Sequence, residues 1–438
     1  MSRFLITCWP FTGHVHGQLA IADALRARGH EVAFYTGPSA RATLEAEGFT
    51  VFEFERLDEE RGYVGMRALE PADARSRPSP GRVRRALRGW LVETIPDQLA
   101  DLEPLVARWQ PDVLVCDLSL WGPIMILWEK TGLPVALSCT FMGPLIPGPD
   151  APPWGLGMAP PRTPMQRTLA AGLGWTTERA GAAIRARLDA LRAGHGLEPA
   201  RATPNEFTAR LPLYLVGNVP ELDYGRRDLP PSVHYLGSCV WEPPASAEDE
   251  EWLAALSSAR PWVHVSESTV RVGDPYLLRA AATGLADAPV EVVMTAGGHR
   301  EVSALGLGPL AGNVHAARWV NHAALLPRCD VVVTGGGAAT IIASLARGVP
   351  LVVVPTAHDK PDNARRVVEA GAGVRLSPRA CTPARLRAAV DEVLGDRRYR
   401  AAAAALGERL RAGPGPAGGA ALLEGLVPAT RGEAATVR

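Results

Sequence analysis

The sequence predicts an α/β protein built from two doubly wound, Rossmann-like parallel-sheet domains that face a central cleft. Three observations carry this. At 438 residues the chain exceeds what one hydrophobic core organises. In both halves, short apolar runs alternate with segments of helical spacing, the pattern of parallel strands buried on both faces. Each half also has an apolar run that breaks into a glycine-bearing loop and then a helix, where open parallel sheets bind their ligands.

The elements follow in order. Residues 3–8 read as a strand, 10–17 as a loop and 19–28 as a helix stopped by Gly29; 31–35 return as a strand. A second such unit runs through a strand at 112–116, a helix at 121–130, the stop Gly132 and a strand at 134–138. A proline- and glycine-rich loop at 141–165 carries Phe141, Met142, Trp154 and Met158. One long helix is expected over 167–193, then strands at 213–216 and 233–236, which completes a first domain over 1–240. Prolines and an acidic run mark 241–250 as the linker. The second domain, 251–415, has strands at 262–265, 290–295, 314–316, 331–333 and 351–354, with closing helices at 385–394 and 399–410. Residues 416–438 are small and polar and read as a tail.

Composition narrows the class. Formal net charge is zero, so nothing points to nucleic acid or an anionic membrane as partner. No apolar run approaches the length of a membrane span, and the chain opens on a strand rather than a signal peptide, so a cytoplasmic protein is expected. The six cysteines lack a Cys-x-x-Cys pair and several sit in apolar runs, which favours buried thiols over disulfides or metal ligands. Only two of the 46 basic residues are lysines, Lys130 and Lys360, and Lys360 lies in a polar loop at a strand end. No Asp-x-Asp sits at a strand end, so no metal is expected.

Bottom-up, two sites stand out. His14 follows the first strand, where a neutral imidazole could take a proton from a hydroxyl; the alternative is a loop histidine that merely caps the helix. Asp117 ends another strand and reads either as the partner that holds His14 in one tautomer or as a helix N-cap. In the second half, Thr334-Gly-Gly-Gly opens a helix whose N-terminus suits an anion such as a diphosphate.

Several segments together resemble one family: Thr12-Gly-His-Val-His-Gly, Ala24-Leu-Arg-Ala-Arg-Gly-His-Glu-Val, Ala151-Pro-Pro-Trp-Gly-Leu-Gly, Trp319, Val331-Val-Val-Thr-Gly-Gly-Gly, Gly348-Val-Pro-Leu-Val-Val-Val-Pro and Asp359. They are similar to the nucleotide-sugar-dependent glycosyltransferases of the macrolide and natural-product type, which have the two-domain GT-B architecture. The resemblance implies that His14 and Asp117 form the base dyad of an inverting sugar transfer. It implies that UDP- or dTDP-sugar is a co-substrate held by Trp319, Ser268, Thr269, Gly336, Gly337, Asp359 and Lys360, with no cofactor bound permanently. A hydrophobic acceptor would lie against His16, Trp121, Phe141, Met142, Trp154 and Met158, although ordinary core packing explains the apolar members equally well. A monomer or homodimer is expected.

The chain also departs from that pattern. Asn321-His322 follows Trp319 where the family has Pro-Gln, and Ser268-Thr269 stands for Gly-Thr. Gly335 replaces the phosphate-binding histidine, Ala343 replaces the ribose-binding glutamate, and Lys360 replaces the glutamine after Asp359. A hydrogen bond to a charged group contributes about 1.5–3 kcal/mol, so these losses weaken donor binding unless other groups compensate. Two further readings follow: a repurposed enzyme performing a nucleotide-free, base-assisted step such as cyclisation, elimination or isomerisation, or a non-catalytic partner of another glycosyltransferase.

Overall fold

The computed structural model describes residues 1–70, 79–267, 273–298 and 300–428. Two all-parallel sheets organise it. The first contains β1 (Arg3–Thr7), β2 (Glu31–Thr36), β3 (Thr50–Glu53), β4 (Val113–Asp117), β5 (Val135–Cys139), β6 (Leu213–Val216) and β7 (Val233–Tyr235), in the order β3-β2-β1-β4-β5-β6-β7. The second contains β8 (Trp262–Ser266), β9 (Glu291–Thr295), β10 (Val314–Ala317), β11 (Val331–Thr334), β12 (Leu351–Val353) and β13 (Gly373–Arg375), in the order β10-β9-β8-β11-β12-β13. This is the doubly wound α/β architecture that the alternating pattern predicts.

Burial explains why the central strands are legible and the edges are not. Every residue of β4, β5, β8 and β9 is buried. On β1, Phe4 and Ile6 pack into the layer beneath the helix Thr12–Ala27, while Leu5 packs into the opposite layer. Both faces are covered, so such strands read as continuous apolar runs. β3 and β13 lie at sheet edges, are short and are mostly half-exposed, so no apolar run announces them.

Three expectations are corrected. The helix expected over 167–193 is two helices, Pro164–Ala180 and Ala182–Gly194, separated at Gly181, where glycine's poor helix propensity allows the break. Residues expected to be a polar tail instead form the helix Gly415–Glu424, which returns to the first domain. Its Ala420 and Leu423 join the core beneath β1, and a Cβ on Gly419 would lie 2.7 Å from Ile21 Cδ1. Small residues serve here as close-packing surface. Glu424 then pairs with Arg28 at 2.5 Å and with His30 at 2.6 Å. The acidic part of the expected linker also forms a helix, Ala247–Ala254, capped by Ser246.

The chain order reverses between β1 and β4, and again between β8 and β11. These switch points open a crevice beyond the carboxyl ends of the strands. The register sets Thr7 beside Cys116 and Asp117 beside Ser138, so the loops after β1, β4 and β5 emerge level with one another. Among the described residues, no helix is long and apolar enough to cross a membrane. None of the cysteines is in a disulfide, and five of the six are buried.

Candidate active site

His14 lies in the first turn of the helix Thr12–Ala27, directly after β1, and its Nδ1 is 2.8 Å from Oδ2 of Asp117, the last residue of β4. Asp117 is fully buried, and its other oxygen accepts from the amide of Ser119 at 2.8 Å and from the Ser119 hydroxyl. One oxygen thus lies against the histidine, and the other fixes the turn at Ser119 rather than capping a helix. Phe11 and Phe141 flank the His14 ring edge to face, at 5.3 and 6.4 Å between centroids. Burial disfavours the imidazolium, but the Asp117 carboxylate outweighs it, with a contribution from Asp359 across the cleft; the His14 pKa ends above its ordinary value. For Asp117, burial is overcome by the charge of His14 and by hydrogen bonds from His14 and Ser119, and its pKa is lowered. With Nδ1 held by Asp117, Nε2 is the nitrogen left for chemistry.

Both domains line one cavity of about 1230 Å³ that contains His14. Single small-ligand pockets are roughly 300–1,000 Å³, so this volume suits two substrates together. On the first-domain side the lining includes His16, Trp121, Phe141 and Trp154, all expected there. His16 is edge-on to Trp241 at 4.9 Å, and burial lowers its pKa. Phe11, Met66 and Trp90 complete the apolar wall; sequence spacing does not distinguish them from core.

Met142 and Met158 are corrections. Met142 is 1% exposed and packs with Val219 and Leu222 into the core of the second domain, while its carbonyl accepts from Asn218 Nδ2. Met158 is half-buried and outside the cavity lining. An apolar residue in a loop fits a pocket or a core, and only the fold decides between them.

The second-domain side is partly as expected. Trp319 lines the cavity, 41% exposed, and stacks on His322 with rings 6.1 Å apart and 13° from parallel. His322 stands where the family has glutamine, and burial lowers its pKa to about 3, which keeps it neutral. Gly337 caps the helix Ala338–Ala346 and lines the cavity, and the first bond of that helix runs from Ile341 N to Gly337 O. The amides of its opening turn therefore have no partner within the helix. Gly336 does not contribute as expected: its amide donates to Thr334 Oγ1 at 3.3 Å, and the residue is outside the lining. Its φ of +96° requires glycine, with Lys360 Cβ close behind. Ser268 and Thr269 lie outside the described residues.

Asp359 lines the cavity and accepts from Asn363 Nδ2 at 2.7 Å, and burial raises its pKa. Lys360 faces neither the cavity nor solvent: it is 5% exposed and ion-paired with Glu70 of the other domain, itself 8% exposed, with Thr356 completing the cluster. His358, Asp362 and Arg366, which flank Asp359 and Lys360 in sequence, also line the cavity. His358 has a φ of +61°, and burial lowers its pKa to about 4. Among the described residues, no group of histidines, cysteines and carboxylates has the arrangement of a metal site.

His14, paired with Asp117 at the end of β4, and the helix N-terminus after β11 line one cavity between two doubly wound domains, and comparison with known proteins gives the class. Residues 280–426 match the family described as erythromycin biosynthesis protein CIII-like, C-terminal domain. The chain is 35% identical over 430 residues to 4'-demethylrebeccamycin synthase of Lentzea aerocolonigenes, covering 97% of this chain and 100% of that protein. It is 28% identical over 436 residues to demethyllactenocin mycarosyltransferase of Streptomyces fradiae, covering 98% and 87%. Spinosyn rhamnosyltransferase complexed with thymidine diphosphate superposes with a TM-score of 0.69 at 25% identity, covering 97% of this chain and 100% of that one. The chain belongs to the glycosyltransferase family of the macrolide and natural-product type, and its two domains have the GT-B architecture.

Proposed function

We propose that the protein transfers a sugar from a nucleoside diphosphate donor to a hydroxyl of a flat, apolar natural product, with inversion at the anomeric carbon. The observation that carries this reading is the 2.8 Å approach of His14 Nδ1 to the buried Asp117 within a cavity shared by both domains. The acceptor lies against Phe141, Trp121 and Trp154. Its hydroxyl proton passes to Nε2 of His14 as the oxygen attacks the anomeric carbon, and Asp117 stabilises the imidazolium that forms. The bond from that carbon to the diphosphate oxygen breaks on the opposite side. The departing nucleoside diphosphate carries the negative charge, which the helix N-terminus at Gly337 is placed to receive. Trp319 supplies a face for the nucleobase, and Asp359 an acceptor for a sugar hydroxyl.

The thymidine diphosphate in the spinosyn rhamnosyltransferase structure supports a dTDP-sugar donor. The names of the relatives support an acceptor drawn from antibiotic biosynthesis. A second reading, a nucleotide-free step run by the same dyad, is favoured by the engagement of Lys360 with Glu70 and of the Gly336 amide with Thr334.

The test pairs dTDP- and UDP-sugars with planar hydroxylated acceptors and follows products by mass and anomeric configuration. A glycoside of inverted configuration, lost about 10²–10⁴-fold in His14→Ala, is expected. Conversion of an acceptor without gain of a sugar mass would support the second reading instead.

A further inference from the structure

The acceptor side of the cavity is not built by the first domain alone. Residues 151–158 belong to that domain by sequence, yet they are anchored on the other one. Asp362 is 4% exposed, and its two carboxylate oxygens each take one amide of this segment: Gly155 N to Oδ2 at 2.6 Å and Gly157 N to Oδ1 at 2.7 Å. The Gly157 carbonyl in turn accepts from Arg375 Nη1 at 2.8 Å and Arg365 Nε at 3.3 Å. Gly155 and Gly157 have φ of +82° and +60°, and a Cβ on Gly157 would lie 2.7 Å from the Pro361 carbonyl oxygen. The backbone thus approaches the second domain as closely as glycine permits. Trp154 stands just before the anchored residues, its ring 6.3 Å from Phe141, which in turn flanks His14.

We propose that Asp362 is a positioning residue for acceptor recognition: from the sugar-donor domain, it holds segment 151–158 so that Trp154 forms one wall of the acceptor chamber. This rests on the reading of the apolar cavity as the site of a flat, hydroxyl-bearing acceptor. Burying a carboxylate is costly and raises the Asp362 pKa, and the bonds from the Gly155 and Gly157 amides, with the charges of Arg366 and Arg375, oppose that cost while fixing the segment. The consequence is that acceptor affinity depends on a carboxylate of the other domain, acting through the segment it holds.

The experiment compares the full chain with Asp362→Ala, Asp362→Asn and Gly157→Ala. Amide hydrogen exchange over 151–158 reads the clamp itself. Titration with alizarin, a planar hydroxylated aromatic, reads the acceptor chamber, and titration with dTDP reads the donor side. The wild-type amides of Gly155 and Gly157 are expected to be protected, and protection is lost in Asp362→Ala. Alizarin affinity falls on the order of tenfold in Asp362→Ala and Gly157→Ala. Asp362→Asn, which keeps one acceptor oxygen, recovers part of the loss, and dTDP affinity stays within about twofold of wild type throughout. Unprotected wild-type amides, or unchanged alizarin binding in a variant whose protection is lost, would overturn the proposal. So would equal loss of alizarin and dTDP binding, which a merely structural role produces. Failure of the wild-type chain to bind alizarin sinks the acceptor reading, and the proposal falls with it.

Discussion

In the proposed mechanism His14 acts as a base only while it is neutral, and its neighbours set the pH at which that holds. Burial alone would lower its pKa, but Asp117 and then Asp359 raise it. Activity therefore falls as pH drops through a value above the ordinary histidine value of about 6.5. Asp117→Asn removes the dominant opposing charge, so the acid limb of kcat/KM should move to lower pH while the plateau drops. A limb that stays in place in Asp117→Asn would show that another group titrates. Much of this was legible in the sequence, because a histidine after one strand and an aspartate ending another are local signals at a switch point. The pairing of Lys360 with Glu70 was not, since it joins residues 290 positions apart. The same limit applies to Met142 and Met158, whose chemistry suits a cavity or a core alike.

At the scale of elements, strands buried on both faces and glycine-stopped helices are legible because their burial writes a continuous apolar pattern. The edge strands Thr50–Glu53 and Gly373–Arg375 leave no such trace. The helix Gly415–Glu424 was missed for a different reason. Its three glycines and Pro416 lower helix propensity and resemble a linker, yet its small residues let it approach the helix Thr12–Ala27 closely. Leu423 is fully buried in that contact. Leu423→Ala should destabilise the first domain by about 2–5 kcal/mol, read from urea unfolding by circular dichroism. A change within about 0.5 kcal/mol would mean that the helix rests on the surface without supporting the core.

Across the whole molecule, the helix Lys360–Glu369 makes a run of contacts between the two domains. Lys360 pairs with Glu70, Asp362 holds the 151–158 segment, Arg366 pairs with the buried Asp223 at 2.7 Å, and Glu369 meets Arg162 at 2.5 Å. The same helix begins beside His358 and Asp359 at the cavity, so interdomain packing and the donor side share one element. The architecture was legible from the alternation of strands and helices, and the family from its motifs. Which of the donor-motif positions reach the cavity was not, because that depends on how the fold turns each polar group. Gly337, Trp319, His322 and Asp359 do face it; Gly336 and Lys360 do not.

The central claim is that this cavity holds a nucleoside diphosphate opposite the His14–Asp117 dyad, and calorimetric titration of the full chain with dTDP and UDP, without added metal, tests it most directly. The account predicts micromolar binding of one of them, carried by the helix N-terminus at Gly337 and the face of Trp319 and abolished by competition with the matching nucleotide sugar. No heat of binding at millimolar nucleotide would contradict it and leave the dyad as the centre of a reaction that uses no nucleotide sugar.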